Sequence, residues 1–452
     1  MADQPEINNR IGFHYYPDTL HYRDKDLQTW LPELKAMGAA WITLVAHPER
    51  AIPEPFISGL LSSRIEPVIH FQLPLPCAKR LPSLELLLET YARWGVRFAV
   101  LFDRPNLRQA WAPSAWTQSE VAEQFLDFYI PLASRVMDAG LRPVFPPLEP
   151  GGNYWDTVFL QTALRGILRR GNNQLLDSLV LSAYAWTGSH PLDWGIGGPE
   201  RWPLTYPYHT PGGSQDQLGF RIFDWYLQIA SAELGTTRPL LLLRTGYSPK
   251  QYPVQVNGQP DHNQHAQLMM EIAKAMHPVT DTADNTGVGI PPEVLACNFW
   301  LLAADSGSPY ATQAWFQQDG IRLPAVAALR KLASDRSSPP VSTTNVERQL
   351  PTSADKYKAS LTPPQTDIRP IPHYLLVPLY AWGISDWDLE TIRPIIEKFH
   401  PTVGFSIEEA QLAKRVTIAG DSRAFSEKEL QQLRNAGCVL DTIEVGGKLV
   451  PV

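Results

Sequence analysis

The chain has 452 residues, 44% of them apolar and 19% charged, which is too long for one ordinary domain and suits one large barrel plus a smaller module. A formal net charge of −7 argues against nucleic-acid binding, which rests on clustered Lys and Arg against phosphate. Cys77, Cys297 and Cys438 lie far apart without pairing or metal-ligand spacing, so they read as small buried apolar residues rather than a disulfide scaffold. The first ten residues carry neither a basic nor an apolar leader region, and no segment runs 18 apolar residues. The expectation is a soluble chain without membrane contact, cytoplasmic by default, with secretion left open should a leader have been removed.

In chain order, apolar runs alternate with amphipathic helical patterns, the signature of repeated βα units. The expected strands are Ile11 to Tyr16, Trp41 to Ala46, Pro67 to Phe71, Phe98 to Asp103, Pro143 to Leu148, Leu179 to Tyr184, Leu240 to Leu243 and Leu295 to Leu302. Helices fall between them, such as Leu27 to Met37 closed by Gly38 and Val121 to Met137 closed by Gly140. Eight such units close most readily into a (β/α)8 TIM barrel over residues 1–333. A polar stretch, 334–370, reads as a linker. Residues 371–452 read as a small α/β module: strands Tyr374 to Leu379, Arg415 to Ala419 and Val439 to Ile443, with a helix Asp388 to Phe399. A second helix there begins with Ser426 and Glu429 at capping-box spacing. No cluster in this module suggests chemistry, so its expected role is structural or partner-binding.

Chemistry in such a barrel collects at the C-terminal ends of the strands. The fourth strand ends in Asp103-Arg104-Pro105-Asn106, with Trp111 following, and the seventh in Arg244-Thr245-Gly246-Tyr247. These resemble the clan A glycoside hydrolase segments ending in Asn-Glu-Pro-Asn and in Thr-Glu-Phe-Gly-Tyr, of the xylosidase and endoglycosidase kind. Leu148-Glu149-Pro150 after the fifth strand and Asp319-Gly320 before the last helix agree with that pattern, whereas Ser182 stands where the family often has His. The resemblance covers Ile11 to about Leu332. It places Arg104 at the acid/base position and Arg244 at the nucleophile position, with Pro105, Asn106, Gly246 and Tyr247 kept.

Retaining glycosidases need two carboxyl groups about 5 Å apart, one giving a proton and one attacking the sugar. A guanidinium stays protonated, offers five donors and no acceptor, and has no nucleophilic lone pair, so it can do neither. Two arginines that close need a counter-charge. Asp103 and Glu149 could supply it internally, or an anionic group on a ligand could, which would favour acidic glycans. The resemblance implies a binding cleft at strand ends carrying His14, Tyr15, Tyr16, His47, His70 and Gln72, with Arg104, Asn106, Arg244 and Tyr247. Tyr184, Trp186, Trp300 and Trp315 are candidate stacking surfaces. His262 and His265 share a helical face but have no third ligand, so no metal and no cofactor is expected.

Three readings follow. The preferred one is a non-catalytic, pseudoglycosidase barrel that binds carbohydrate or serves as a scaffold, with a protein partner for the C-terminal module. The alternative is an active glycoside hydrolase with relocated carboxylates, Glu149 or Asp103 as acid and Asp305 or Asp156 as partner. The third is a purely structural protein whose mouth is closed by its own side chains.

Overall fold

A computed structural model describes residues 9–79, 81–116, 120–249, 255–256, 259–276, 289–337, 371–378, 392, 395–396, 398–399, 401–404, 406–419, 425–444 and 448–451. The chain divides into two compact units, Met1–Thr343 and Thr344–Val452. Among the described residues no helix is long and apolar enough to cross a membrane.

The first unit is a (β/α)8 barrel. Its strands are β1 (Ile11–His14), β2 (Trp41–Ala46), β3 (Glu66–Phe71), β4 (Phe98–Leu101), β5 (Arg142–Val144), β6 (Leu181–Trp186), β7 (Leu240–Gly246) and β8 (Val294–Phe299). All neighbours pair in parallel in the order β5-β4-β3-β2-β1-β8-β7-β6. A parallel bridge from Val144 to Val180 joins β5 to the start of β6 and closes the ring. The main helices are α1 (Asp24–Ala36), α2 (Glu54–Ser62), α3 (Pro82–Arg93), α4 (Val121–Asp138), α5 (Asp156–Arg169), α6 (Ile222–Leu234), α7 (His262–Ala275) and α8 (Pro324–Ser337).

The strands read as near-continuous apolar runs because both of their faces are covered. In β2, Ile42, Leu44 and Ala46 pack under the helices, while Trp41 joins the barrel interior with Val68, Phe98, Val144 and Leu241. Helix α4 buries Val121, Ala122, Phe125, Leu126, Tyr129, Leu132, Ala133 and Val136, a stripe at three- and four-residue spacing. Burying each of its larger apolar side chains contributes about 1.5–3 kcal/mol. Beyond its end Gly140 takes φ +88°, a conformation that favours glycine. Helix α8 continues to Ser337, four residues into the segment expected to be linker. The rest of that linker lies outside the described residues.

Two local departures shape the barrel mouth. Strand β4 was expected to reach Asp103 but stops at Leu101, because Phe102 (φ +72°) and Arg104 (φ +47°) adopt left-handed backbone. Each such residue costs on the order of 1–3 kcal/mol, so it must be held from outside. The Phe102 N–H donates to the Phe71 carbonyl (2.8 Å) and the Arg104 N–H to the Pro147 carbonyl (3.0 Å). Strand β7 carries an extra residue: Leu242 pairs with Ala183 but Arg244 pairs with Tyr184, leaving Leu243 as a bulge. Strict alternation would turn Arg244 away from the face that Leu241 and Leu243 share. The bulge brings it back to the interior, against Tyr184 and Trp300.

The second unit is a five-stranded sheet, β9 (Ile371–Leu376), β10 (Thr402–Gly404), β11 (Ala413–Ile418), β12 (Val439–Glu444) and β13 (Lys448–Pro451). The order is β10-β9-β11-β12-β13, parallel except for the last pair. Strands β10 and β13 were not anticipated; both are short and at edges, too brief to show a period. Helix α9 (Glu427–Asn435) opens with the expected capping box, Glu429 N–H to Ser426 Oγ and Ser426 N–H to the Glu429 carboxylate. Most of the expected helix Asp388 to Phe399 lies outside the described residues; Ile392, Ile395, Ile396, Lys398 and Phe399 are helical.

Candidate functional site

The mouth is built around two guanidiniums in different settings. Arg244, on β7, is 5% exposed, with its guanidinium carbon 4.5 Å from the Tyr184 ring centre and 4.4 Å from that of Trp300. Its Nε–H is buried without a partner. Cation–π contacts of this kind contribute up to about 2 kcal/mol each when desolvated. Trp300 is oriented in turn by Gln313, whose side-chain oxygen accepts the indole N–H at 2.6 Å. Arg104 is two-thirds buried and bridges two carboxylates, donating from Nε to Asp103 (3.2 Å) and from Nη1 to Glu149 (3.4 Å).

Asp103 is the hub of this network. Its Oδ1 accepts the Tyr184 hydroxyl at 2.6 Å while its Oδ2 faces Arg104. Burial pushes the Asp103 carboxyl up, but Arg244 and then Arg104 outweigh it and hold it below the usual carboxylate range. The same burial raises the Tyr184 hydroxyl well above its ordinary value and keeps it a donor. Burial also works against the charge of Arg104, yet Asp103, Tyr184 and Glu149 together outweigh it and raise that group.

Two histidines lie beside the cage. The His14 ring centre is 4.8 Å from that of Trp300, and burial, then Arg244, lowers its pKa well below the ordinary value. Neither ring nitrogen has a partner of normal geometry; the Leu243 carbonyl nearby lies outside it. His70 Nε2 meets the Phe102 carbonyl at 2.8 Å, and burial pushes its pKa down to about 4, so the ring is neutral at pH 7.

Thus the structure brings His14, His70, Arg104, Tyr184, Arg244 and Trp300 together, with Asp103 and Glu149. Other expected ligand residues are used elsewhere. Asn106 is fully buried and bonds only to the backbone of the loop after β5: its amide donates to the Glu149 and Tyr154 carbonyls, and its oxygen accepts the Glu149 N–H. His47 is exposed, and its Nδ1 accepts the Glu49 N–H within a turn. Tyr15 is in the core, its hydroxyl on the His21 carbonyl, and Gln72 is exposed. Tyr16 stacks on His21 (3.9 Å, 15°), which bridges Asp18 (2.9 Å) and Asp305 (3.1 Å) through its two nitrogens. Tyr247 is half-buried near His265, at 6.1 Å between ring centres. Trp186 lies against Tyr184 and Trp300, while Trp315 packs in the core against Phe13 and Phe299.

The relocated-carboxylate alternative named Asp156 and Asp305 as partners. Asp156 is fully buried, and both its oxygens are engaged, by the Gly151 N–H, the Gln217 amide and the Tyr226 hydroxyl. Burial pushes it up to about 6, but no face is open to a substrate. Asp305 is held by His21. Gln313, which orients Trp300, was not singled out, nor were Thr43 and Asn298, buried polar residues inside apolar strands.

No protein-family model matches the sequence, and no curated relative does. Similar solved structures are mostly glycoside hydrolases with (β/α)8 barrels. An endo-β-1,3-glucanase from Sorangium cellulosum is 13% identical over 71% of this chain and 97% of its own, with a TM-score of 0.39. An endo-β-1,4-glucanase from Xanthomonas axonopodis pv. citri is 11% identical, covering 73% and 100%, with a TM-score of 0.38. A 4-O-α-L-rhamnosyl-β-D-glucuronidase from Fusarium oxysporum is 11% identical, covering 72% and 70%, with a TM-score of 0.40. At these identities the likeness is one of fold.

Proposed function

We propose that the barrel is a glycosidase-like carbohydrate-binding module without hydrolytic activity. The observation that carries this reading is the state of the carboxylates at the mouth. Asp103 and Glu149 both lie in ion pairs with Arg104, and Asp103 is held ionised. A general acid must carry a proton near neutral pH, and Asp103 does not. At the seventh-strand end, where the resemblance puts a nucleophile, stands the caged Arg244. What supports binding is the concentration of ring faces and buried polar atoms around that cage, a lining suited to a ligand with apolar faces and hydroxyl edges.

The test is to incubate the purified protein with a panel of aryl glycosides and natural oligosaccharides, and to measure binding to the same oligosaccharides by saturation-transfer NMR. Binding without turnover is expected. Turnover that persists after both Arg104→Ala and Arg244→Ala would overturn the non-hydrolytic reading, and absence of binding across the panel would overturn the carbohydrate reading.

A further inference from the structure

Two arginines at one mouth suggest an anionic ligand, but the charges and hydrogen-bonding atoms around them suggest the opposite. Among the described residues, the charged side chains joined in the cage are Arg104, Arg244, Asp103 and Glu149, two of each sign. His14 and His70 add nothing at pH 7, since burial holds both neutral. Within that cage the charges compensate one another. A carboxylate entering it would meet Asp103 and Glu149 as well as the guanidiniums, and would lose its hydration.

The buried atoms without partners sharpen this. A carbonyl only accepts, so the Phe102 carbonyl 2.8 Å from His70 Nε2 fixes the proton on that nitrogen. In a neutral ring Nδ1 is then a bare acceptor, and it is buried without a partner. The Asn298 amide donates to the Leu242 carbonyl at 3.0 Å, which leaves its Oδ1 as a second unpartnered acceptor. Neutral His14 presents one donor and one acceptor, the Thr43 hydroxyl is both, and Arg244 Nε–H is a donor. Strand pairing sets His14 opposite Thr43 and Asn298 opposite Gly12, with the His14 ring against Trp300.

We infer that the mouth selects a neutral, hydroxyl-bearing sugar over an acidic one; this rests on the carbohydrate-binding reading above. A carboxylate offers only acceptors, so it leaves His70 Nδ1 and Asn298 Oδ1 unsatisfied and repels them. A hydroxyl donates and accepts, so it can meet orphans of either kind. Arg244 then acts as a rigid donor within a neutral network rather than as an anion receptor.

The experiment is a titration of the full chain at pH 7 with neutral and uronic oligosaccharides that include the matched pairs methyl β-glucoside with methyl β-glucuronide and methyl β-galactoside with methyl β-galacturonide. Preference for neutral sugars by about tenfold or more is expected. Equal or tighter binding of the acids would overturn this inference and leave the carbohydrate reading standing. Failure of every sugar to bind would remove both. Thr43→Val keeps the side-chain shape while deleting one orphaned hydroxyl; it is expected to weaken neutral-sugar binding by about threefold or more, and unchanged affinity in a folded variant counts against the network.

Discussion

Replacing Asn106 by alanine should loosen the loop that carries Glu149 without touching any charged group. Its side chain is 0% exposed and makes three bonds of 2.9 Å, to the Glu149 carbonyl, the Tyr154 carbonyl and the Glu149 N–H. A net contribution of about 1 kcal/mol per bond, with some extra cost for buried partners left unsatisfied, gives a loss of about 3–4 kcal/mol. Gly152 is packed so closely that a Cβ there would lie 2.4 Å from the Asn106 amide nitrogen, so alanine at position 106 leaves a gap beside it. Asn106→Asp is the more demanding variant, since a carboxylate of the same shape cannot donate to two carbonyls and should cost more than alanine. Urea unfolding followed by tryptophan fluorescence measures both. A loss below about 1 kcal/mol for alanine, or an aspartate variant as stable as the parent, would refute the clamp and return Asn106 to the candidates for ligand contact.

Acidification should destabilise the barrel as pH falls below about 6.5. His70 and His265 are each lowered from 6.5 to about 4, and His14 is lowered well below its ordinary value, by burial above all in every case. The unfolded chain therefore takes up protons that the folded chain refuses: stability is complete above about pH 6.5 and falls as pH drops toward about 4, by about 1.4 kcal/mol per pH unit for each histidine. Asp156, raised to about 6 by burial, acts in the opposite direction between about pH 4 and 6 because the folded state keeps its proton, and it offsets one histidine. Urea midpoints at pH 7, 6 and 5 should fall in that order; a flat or rising series would contradict the neutral imidazoles. Gly12→Ala should destabilise by about 2–3 kcal/mol, as its Cβ would lie 2.4 Å from Asn298 Oδ1 and 2.5 Å from the Trp41 carbonyl oxygen. Thermal unfolding of that variant checks it, and a stability equal to the parent's would show that β1 and β8 are less closely apposed.

The barrel itself was legible because its strands and helices repeat two periods that the chain displays directly. Buried parallel strands such as Trp41–Ala46 must be apolar on both faces, and helices such as Val121–Asp138 must carry a stripe at three- and four-residue spacing. The identities of Asp103, Arg104 and Arg244 at strand ends were also there to be read, and with them the unsuitability of guanidiniums for proton transfer or attack.

Side-chain direction and partnership were decided only in three dimensions. Asn106 has the residue type and position of a ligand contact, yet it closes a loop whose carbonyls approach it from 43 and 48 residues further along the chain. Alternation along β7 points Arg244 outward, and only the bulge at Leu243 turns it between Tyr184 and Trp300. His14 and His70 read as ordinary imidazoles until burial removes their protons, and the tautomer of His70 depends on a carbonyl from the neighbouring strand's left-handed end. Even the charge of the mouth follows from this: Arg104 and Arg244 suggest an anion site by composition, whereas Asp103 and Glu149, gathered from the ends of two strands, cancel them. Local pattern determines which segments are strands and helices because periodicity is a property of the segment itself. Hydrogen-bond partners, burial and net field come from residues distant in sequence, so the tertiary structure alone settles them.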